Sequence, residues 1–286
     1  MPYPGGRANV RAVPELPEVE TVRSQIAPFL EGRTFERVEI LDPRLTRPND
    51  PAQVAAELEG EQVLGVERRG KYVVLRFESG RVLLIHLRMT GNLLLGAEST
   101  GEVDPYRRAV ISLDDGSEVV YRDVRRFGTW LLLEPAEEEP YLAARVGEEP
   151  LLQRFTAAAL ARRLAGRRAP LKAALLDQRT VAGLGNIYAD EALWRARLHP
   201  LRPAGSLDPA EIRALHRSIR RALDVGIRRQ GATLRDYRTP AGTRGAMQDE
   251  FKVYGRAGEP CSRCGATIAK TRAGGRGTWF CPGCQV

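Results

Sequence analysis

The last 26 residues of this 286-residue chain hold all four of its cysteines, as Cys261-x-x-Cys264 and Cys281-x-x-Cys284 with 16 residues between the pairs. Few patterns constrain a local fold more. Two such turns can bring four thiolates to the corners of one tetrahedron, the usual shell of zinc. All four positions are then protein sulfurs, so no site is left for water or substrate, and the expected Zn2+ is a single structural ion. Two redox dithiols or two disulfides are the competing readings, but clustering at one end fits a metal site in a reducing compartment better than a disulfide framework. Between the pairs, Lys270, Arg272, Arg276 and Trp279 read as a basic hairpin suited to phosphate contact, with a merely solvated basic face as the alternative.

Basic residues outnumber acidic ones by 44 to 36, a net charge of +8. That balance favours a polyanionic partner over an acidic small molecule. Only Lys71, Lys172, Lys252 and Lys270 are lysines, so genome composition accounts for part of the arginine excess. No run of roughly 18 apolar residues occurs, and the first residues lack the apolar core of a secretory signal. No membrane partner is expected, and the protein is placed in the cytoplasm.

Along the chain the apolar pattern changes twice. Residues 1–13 are rich in Pro, Gly and Arg and read as an unstructured extension. From Val19, the residues Val22, Ile26, Phe29 and Leu30 recur at helical spacing, with a bend expected at Pro28. Residues 34–133 switch to strand period, with strands expected at 72–77, 82–87, 110–113, 119–121 and 129–133 and turns at Ser79-Gly80 and Asp115-Gly116. The acidic run from Glu134 to Pro140 reads as a linker. Helices are expected near 156–165, 170–178, 187–196 and 209–228, the last marked by Asp208, Pro209 and Glu211 as a capping box. The fold class is therefore α+β and multidomain: a first helix packed on an antiparallel β-sandwich over 14–135, a linker over 136–150, a helical domain over 151–245 and a zinc finger over 246–286.

Five stretches carry a specific resemblance: Pro14-Glu15-Leu16-Pro17-Glu18-Val19-Glu20-Thr21, His86-Leu87-Arg88-Met89-Thr90-Gly91, Asp123-Val124-Arg125-Arg126-Phe127-Gly128, Gly183 to Glu191, and Val253-Tyr254-Gly255-Arg256. Together, in this order, the chain resembles the formamidopyrimidine-DNA glycosylases, the oxidised-purine branch of a bacterial repair family. The resemblance implies a helix-two-turn-helix second domain and a DNA glycosylase that is also an abasic-site lyase. It implies excision of 8-oxoguanine and formamidopyrimidines from double-stranded DNA by a monomer working at the nucleoid, through a proline iminium followed by β,δ-elimination.

The chemistry is intelligible in its own right. An amine must attack the anomeric carbon, and a secondary amine suffices. A terminal α-amine, with a pKa near 8, is about a tenth free base at pH 7, against roughly 0.04% for a lysine. By resemblance Pro14 is that nucleophile and Glu15 the general acid and base; Glu18 either supports the same pocket or stabilises the helix start. Yet Pro14 is preceded by Val13, and an amide nitrogen has no basicity. Because a GTG valine codon can initiate translation in bacteria, residues 1–13 are read as absent from the mature protein, which then begins at Pro14.

A base inside a duplex has to be flipped out and its place filled. By resemblance Met89 enters the vacated stack, Phe127 wedges the step and Arg125 bonds the orphaned base; without it, Met89 and Phe127 read as core residues. Lys71, grouped with Pro14 and Glu15 as a catalytic position, and Asn186 look like backbone-phosphate clamps, with the Gly-rich turn before Asn186 exposing helix-start amides. Arg276 plays the same part from the zinc hairpin. His86 reads as a structural hydrogen-bonder. The alternatives are an endonuclease VIII-like enzyme for oxidised pyrimidines, which the unexpected Ala246-Met247-Gln248 run keeps open, and a non-catalytic zinc-ribbon protein that binds damaged DNA.

Overall fold

A computed structural model describes residues 13–96 and 104–286. The extension inferred over 1–13 lies outside them, apart from Val13. The first helix, α1 (Leu16–Leu30), begins three residues earlier than its apolar period suggests, because Pro17 fits the first turn and Glu18 reaches back to the Glu15 amide at 2.9 Å. It carries Pro28 within its last turn.

Two antiparallel four-stranded sheets follow. One has the order β1 (Phe35–Ile40), β6 (Arg107–Leu113), β7 (Glu118–Asp123), β5 (Gly91–Leu95); the other has β2 (Val63–Arg69), β3 (Tyr72–Phe77), β4 (Val82–His86), β8 (Thr129–Leu133). Short α2 (Pro51–Leu58), capped by Asp50, lies between β1 and β2. The sheets share one core with α1, in which Val19, Val22 and Ile26 meet Val73, Leu75, Ile85, Ile111 and Tyr121. This is the expected sandwich.

The second sheet is covered on its other face as well. There Val74, Leu84 and Leu133 pack against Leu142, Val146 and Ala182. Leu142 belongs to α3 (Pro135–Ala143), so the acidic run is a helix and not a linker. Pro135 opens it, the Glu134 amide donates to Glu137 at 3.0 Å, and Glu138 pairs with Arg76 at 2.9 Å. Its acidic side chains face solvent or arginine, which hid the helix from a reading based on apolar period.

The remaining core is helical: α4 (Ala157–Leu164), α5 (Leu171–Leu176), α6 (Asn186–Ala196) and α7 (Pro209–Arg228). The Asp208 capping box on α7 is present, and Ile212, Leu215, Ile219 and Leu223 form its buried stripe. Leu16 packs into this core while Val19 packs into the sandwich, so α1 belongs to both. The chain ends in the hairpin β9 (Ala269–Ala273) and β10 (Arg276–Phe280), turning through Gly274 and Gly275, both at positive φ. A buried ion pair fastens it to the helices: Lys172 lies 2.8 Å from Asp190 and donates to the Gly277 carbonyl at 2.8 Å, while Asp190 accepts from the Trp279 amide at 3.0 Å. Among the described residues no helix is long and apolar enough to cross a membrane.

Candidate active site

Glu15 sits at the junction of the two cores. Its buried carboxylate accepts from the amides of Ile187 at 2.8 Å and Tyr188 at 3.3 Å, the first turn of α6. The positive end of that helix suits a carboxylate. Gly185 is required here, because a Cβ on it would come within 2.4 Å of Glu15 Cδ. Burial raises the Glu15 pKa, opposed first by the Lys71 charge and then by these amides.

Glu18 lies one turn on, equally buried. It accepts from the Tyr188 hydroxyl at 2.8 Å and the Ala232 amide at 2.7 Å. Burial, and then the neighbouring Glu15 charge, push its pKa up to about 7. It is a supporting group of the pocket as well as part of a helix start. Both carboxyls are thus held in a dry, crowded place that favours their protonated forms, and Glu18 keeps or releases a proton near neutrality.

Beside them opens a pocket of about 270 Å³ lined by Val13, Pro14, Glu18, Met89, Arg125 and the wall from Leu234 to Tyr237. Four separate parts of the sequence meet in it. Arg125 reaches across the mouth, its guanidinium 2.9 Å from the Met89 sulfur and 4.6 Å from the Phe127 ring centroid. Phe127 is 49% exposed and is not a core residue. Opposite, the Asn92 carboxamide ties β5 to the far wall, accepting from the Arg238 amide at 2.8 Å. Met247, in the run Ala246-Met247-Gln248, is fully buried in the helical core.

The phosphate candidates stand around this pocket. Lys71 lies outside it, in an adjoining cleft with His86 and Arg88. Burial lowers its pKa, while Glu15 and Glu18 pull it back up. The Gly70 amide donates to Glu149, which also grips Arg68 at 2.9 Å, so the turn presenting Lys71 is fixed from 79 residues away. His86 accepts from the Arg88 amide at 3.0 Å, and burial lowers its pKa to about 3, so it is a neutral structural acceptor. Arg276 is exposed at the start of β10. Asn186 opens α6, its Nδ2 3.5 Å from the Tyr254 hydroxyl and its Oδ1 buried without a partner. One expectation is corrected here: the α6 amides of Ile187 and Tyr188 are filled by Glu15, not open to phosphate.

The four sulfurs of Cys261, Cys264, Cys281 and Cys284 all lie within 4.8 Å of one another, with 3.9 Å between Cys261 and Cys284 and 3.4 Å between Cys264 and Cys281. A tetrahedral shell with Zn–S near 2.3 Å has edges of about 3.8 Å, so the donor set fits zinc in both size and softness.

Four positioning residues were missed by sequence reasoning: Asp123, Glu149 and the pair Lys172 and Asp190. Asp123 organises the loop above the pocket, accepting from the amides of Arg125 at 3.1 Å, Phe127 at 2.9 Å and Gly128 at 2.8 Å and from the Thr90 hydroxyl. The only available signal was its place at the head of the Asp123 to Gly128 stretch.

Three family models match the chain: the formamidopyrimidine-DNA glycosylase N-terminal domain over residues 13–130, the H2TH domain of the same proteins over 146–238, and a zinc finger found in FPG and IleRS over 258–286. Formamidopyrimidine-DNA glycosylase of Symbiobacterium thermophilum is 51% identical over 96% of this chain and 89% of its own length. That of Roseiflexus is 47% identical over 96% and 100%. Among solved structures, a mutant of the Lactococcus lactis enzyme bound to DNA containing Fapy-dG superposes with a TM-score of 0.88 at 38% identity, covering 95% of this chain and 99% of that one. The L. lactis enzyme on DNA containing an abasic site gives 0.87 at 37% identity over the same shares. Site geometry, domain matches and near full-length identity converge: the chain belongs to the formamidopyrimidine-DNA glycosylase family.

Proposed function

We propose that this protein excises oxidised purines, 8-oxoguanine and formamidopyrimidines, from duplex DNA and then cleaves the abasic strand. The observation that carries it is the pocket in which Pro14 stands beside Glu18 beneath Met89 and Arg125. In the active form the chain begins at Pro14, so that its nitrogen is a free secondary amine. That amine attacks C1′ of the flipped nucleotide, the glycosidic bond breaks with its electron pair leaving on the base, and the base takes up a proton. Loss of the amine proton, with opening of the sugar ring, leaves an iminium on Pro14. Glu15 exchanges protons with the sugar oxygen and in the eliminations that follow. Support comes from the family match beginning at residue 13, and from relatives whose whole length aligns with 96% of this chain.

Met89, Phe127 and Arg125 fill the space left by the base, and Lys71, Asn186 and Arg276 hold phosphates. The division into residues 14–135, 151–245 and 246–286 follows these tasks, with α3 closing the first unit. The enzyme works in the bacterial cytoplasm, on the nucleoid. The preference for purines is supported by the wall from Leu234 to Tyr237, held by Asn92.

Borohydride reduction tests the reading. Protein starting at Pro14 should be trapped covalently on DNA with 8-oxoguanine opposite cytosine, Pro14→Gly protein should retain little activity, and protein keeping residues 1–13 should give no adduct. Full trapping by the longer form would overturn the assignment of the nucleophile.

A further inference from the structure

A second basic surface begins where α6 ends. Asn186 opens that helix beside Glu15, and Arg195 lies nine residues on, about 14 Å along the axis. There a groove of about 530 Å³ is lined by Arg195, Arg197, Arg217, Arg221 and Arg263. They come from three places: the end of α6, the outer side of α7 and the first zinc turn. Arg263 is anchored, 3.9 Å from the Trp194 ring centroid and donating to the Trp194 carbonyl at 2.9 Å. The Arg195 Nε is buried without a hydrogen-bond partner. Arg217 and Arg221 are exposed one turn apart.

Among the described residues, no carboxylate lies within 4.0 Å of Arg195, Arg197, Arg217 or Arg221; Glu250, in the adjoining groove, is taken by Arg229. The α6 dipole accounts for cations at its C-terminus, Arg195 and Arg197, and the Cys284 sulfur 3.6 Å away accounts for Arg263, but neither accounts for Arg217 and Arg221. Five guanidiniums around one groove repel one another unless anions stand between them. Their planar forks match phosphate oxygens in pairs, and a row of them matches a repeating anion better than a single small one. Five arginines and Ser218 stand around the groove with Trp194, Ala196 and Ala214, a set of side chains that suits a charged backbone more than an apolar peptide.

We propose that this groove binds the phosphodiester backbone of a second DNA segment while a first lies at the Pro14 pocket. The proposal rests on the DNA-repair reading above. Its consequence is direct transfer between duplexes: a chain holding one segment can capture another before releasing the first.

The test uses enzyme trapped by borohydride on a short lesion duplex, so that the first site is covalently filled. A fluorescent undamaged duplex is then titrated onto the trapped complex across a salt series. Binding should occur, and Arg217→Glu with Arg221→Glu should weaken it about tenfold or more and lower the salt slope by about two, with excision from the short duplex unchanged. A trapped complex that ignores the second duplex, or binds it equally in both proteins, overturns the proposal. If no adduct forms, the catalytic reading fails separately, and the groove is judged by stoichiometry on undamaged duplex. Two duplexes per chain in the parent and one in the variant support it, whereas one in both overturns it.

Discussion

The carboxylate of Asp123 accepts the Phe127 amide at 2.9 Å, and through it a buried acid on β7 sets the height of an exposed ring above the pocket. Asp123→Asn keeps the shape but replaces one acceptor by a donor facing other donors. We expect a loss of about 1–3 kcal/mol in unfolding free energy and slower excision of 8-oxoguanine, with undamaged duplex bound normally. Denaturant melts beside single-turnover rates check this, and equal loss of duplex binding would count against the positioning role.

Phe127→Ala removes the ring alone. Because the ring is half exposed, stability should change by less than about 0.5 kcal/mol. Excision of 8-oxoguanine should slow, while a pre-formed abasic site, which needs little unstacking, should be cut almost normally. If instead excision, abasic cleavage and undamaged-duplex binding fall together with the melting temperature, Phe127 is a packing residue.

Replacement of Lys71, Asn186 or Arg276 should weaken lesion-bearing and undamaged DNA alike, since phosphates are the same in both. For Lys71→Ala and Arg276→Ala the slope of log affinity against log salt should also fall by about one. A lesion-selective loss at any of the three would reassign it.

Lys172 and Asp190 form a fully buried pair under the zinc hairpin, and burial raises the Asp190 pKa to about 7 despite Lys172. Lys172→Met should cost about 3–5 kcal/mol by leaving that acid uncompensated, whereas Lys172→Met with Asp190→Leu should recover much of it. Both should loosen the Arg276 hairpin and lower DNA affinity. Metal content separates this from damage to the zinc site: it should stay at one equivalent here and vanish in Cys264→Ser, which leaves the sandwich folded.

His86, with its pKa lowered to about 3 by burial and the Arg88 and Lys71 charges, stays neutral in the fold but takes a proton near pH 6.5 when unfolded. The unfolded state therefore binds more protons below pH 6.5. Stability is full above that pH and falls by about 1.4 kcal/mol per unit as pH drops toward 3. Glu18 acts in the opposite sense, its share being full below pH 4.5 and lost as pH rises through about 7. His86→Asn keeps an acceptor for the Arg88 amide without the titration. The difference between parent and variant in urea unfolding between pH 6 and 4 should show the His86 slope, and identical slopes would refute it.

What the sequence made legible depended on how far each signal reaches. The zinc site was readable because ligand type and spacing are both local, and α7 because its cap and stripe lie within one segment. Strands β3 and β8 were read at their full extent, whereas β1, with its polar Glu36, Arg37 and Glu39, and β5, opening on Gly91-Asn92, were not, because their partners supply what their composition lacks. Helix α3 reads as a linker in the sequence because its charges outweigh its one buried residue, Leu142. Pro14, Glu15, Met89 and Arg125 were found only through resemblance. Glu149 was invisible because its meaning lies in Arg68, 81 residues away.

The Glu15 carboxylate closes the first turn of α6, and α1 contributes to both cores. Prising the two halves apart would uncap a helix and tear a shared one, so the protein meets the duplex as a stiff anvil. The bend needed to free a nucleotide must then be borne by the DNA itself. Easily deformed steps, and those already weakened by damage, yield first, so that part of the enzyme's selectivity resides in the mechanics of its substrate.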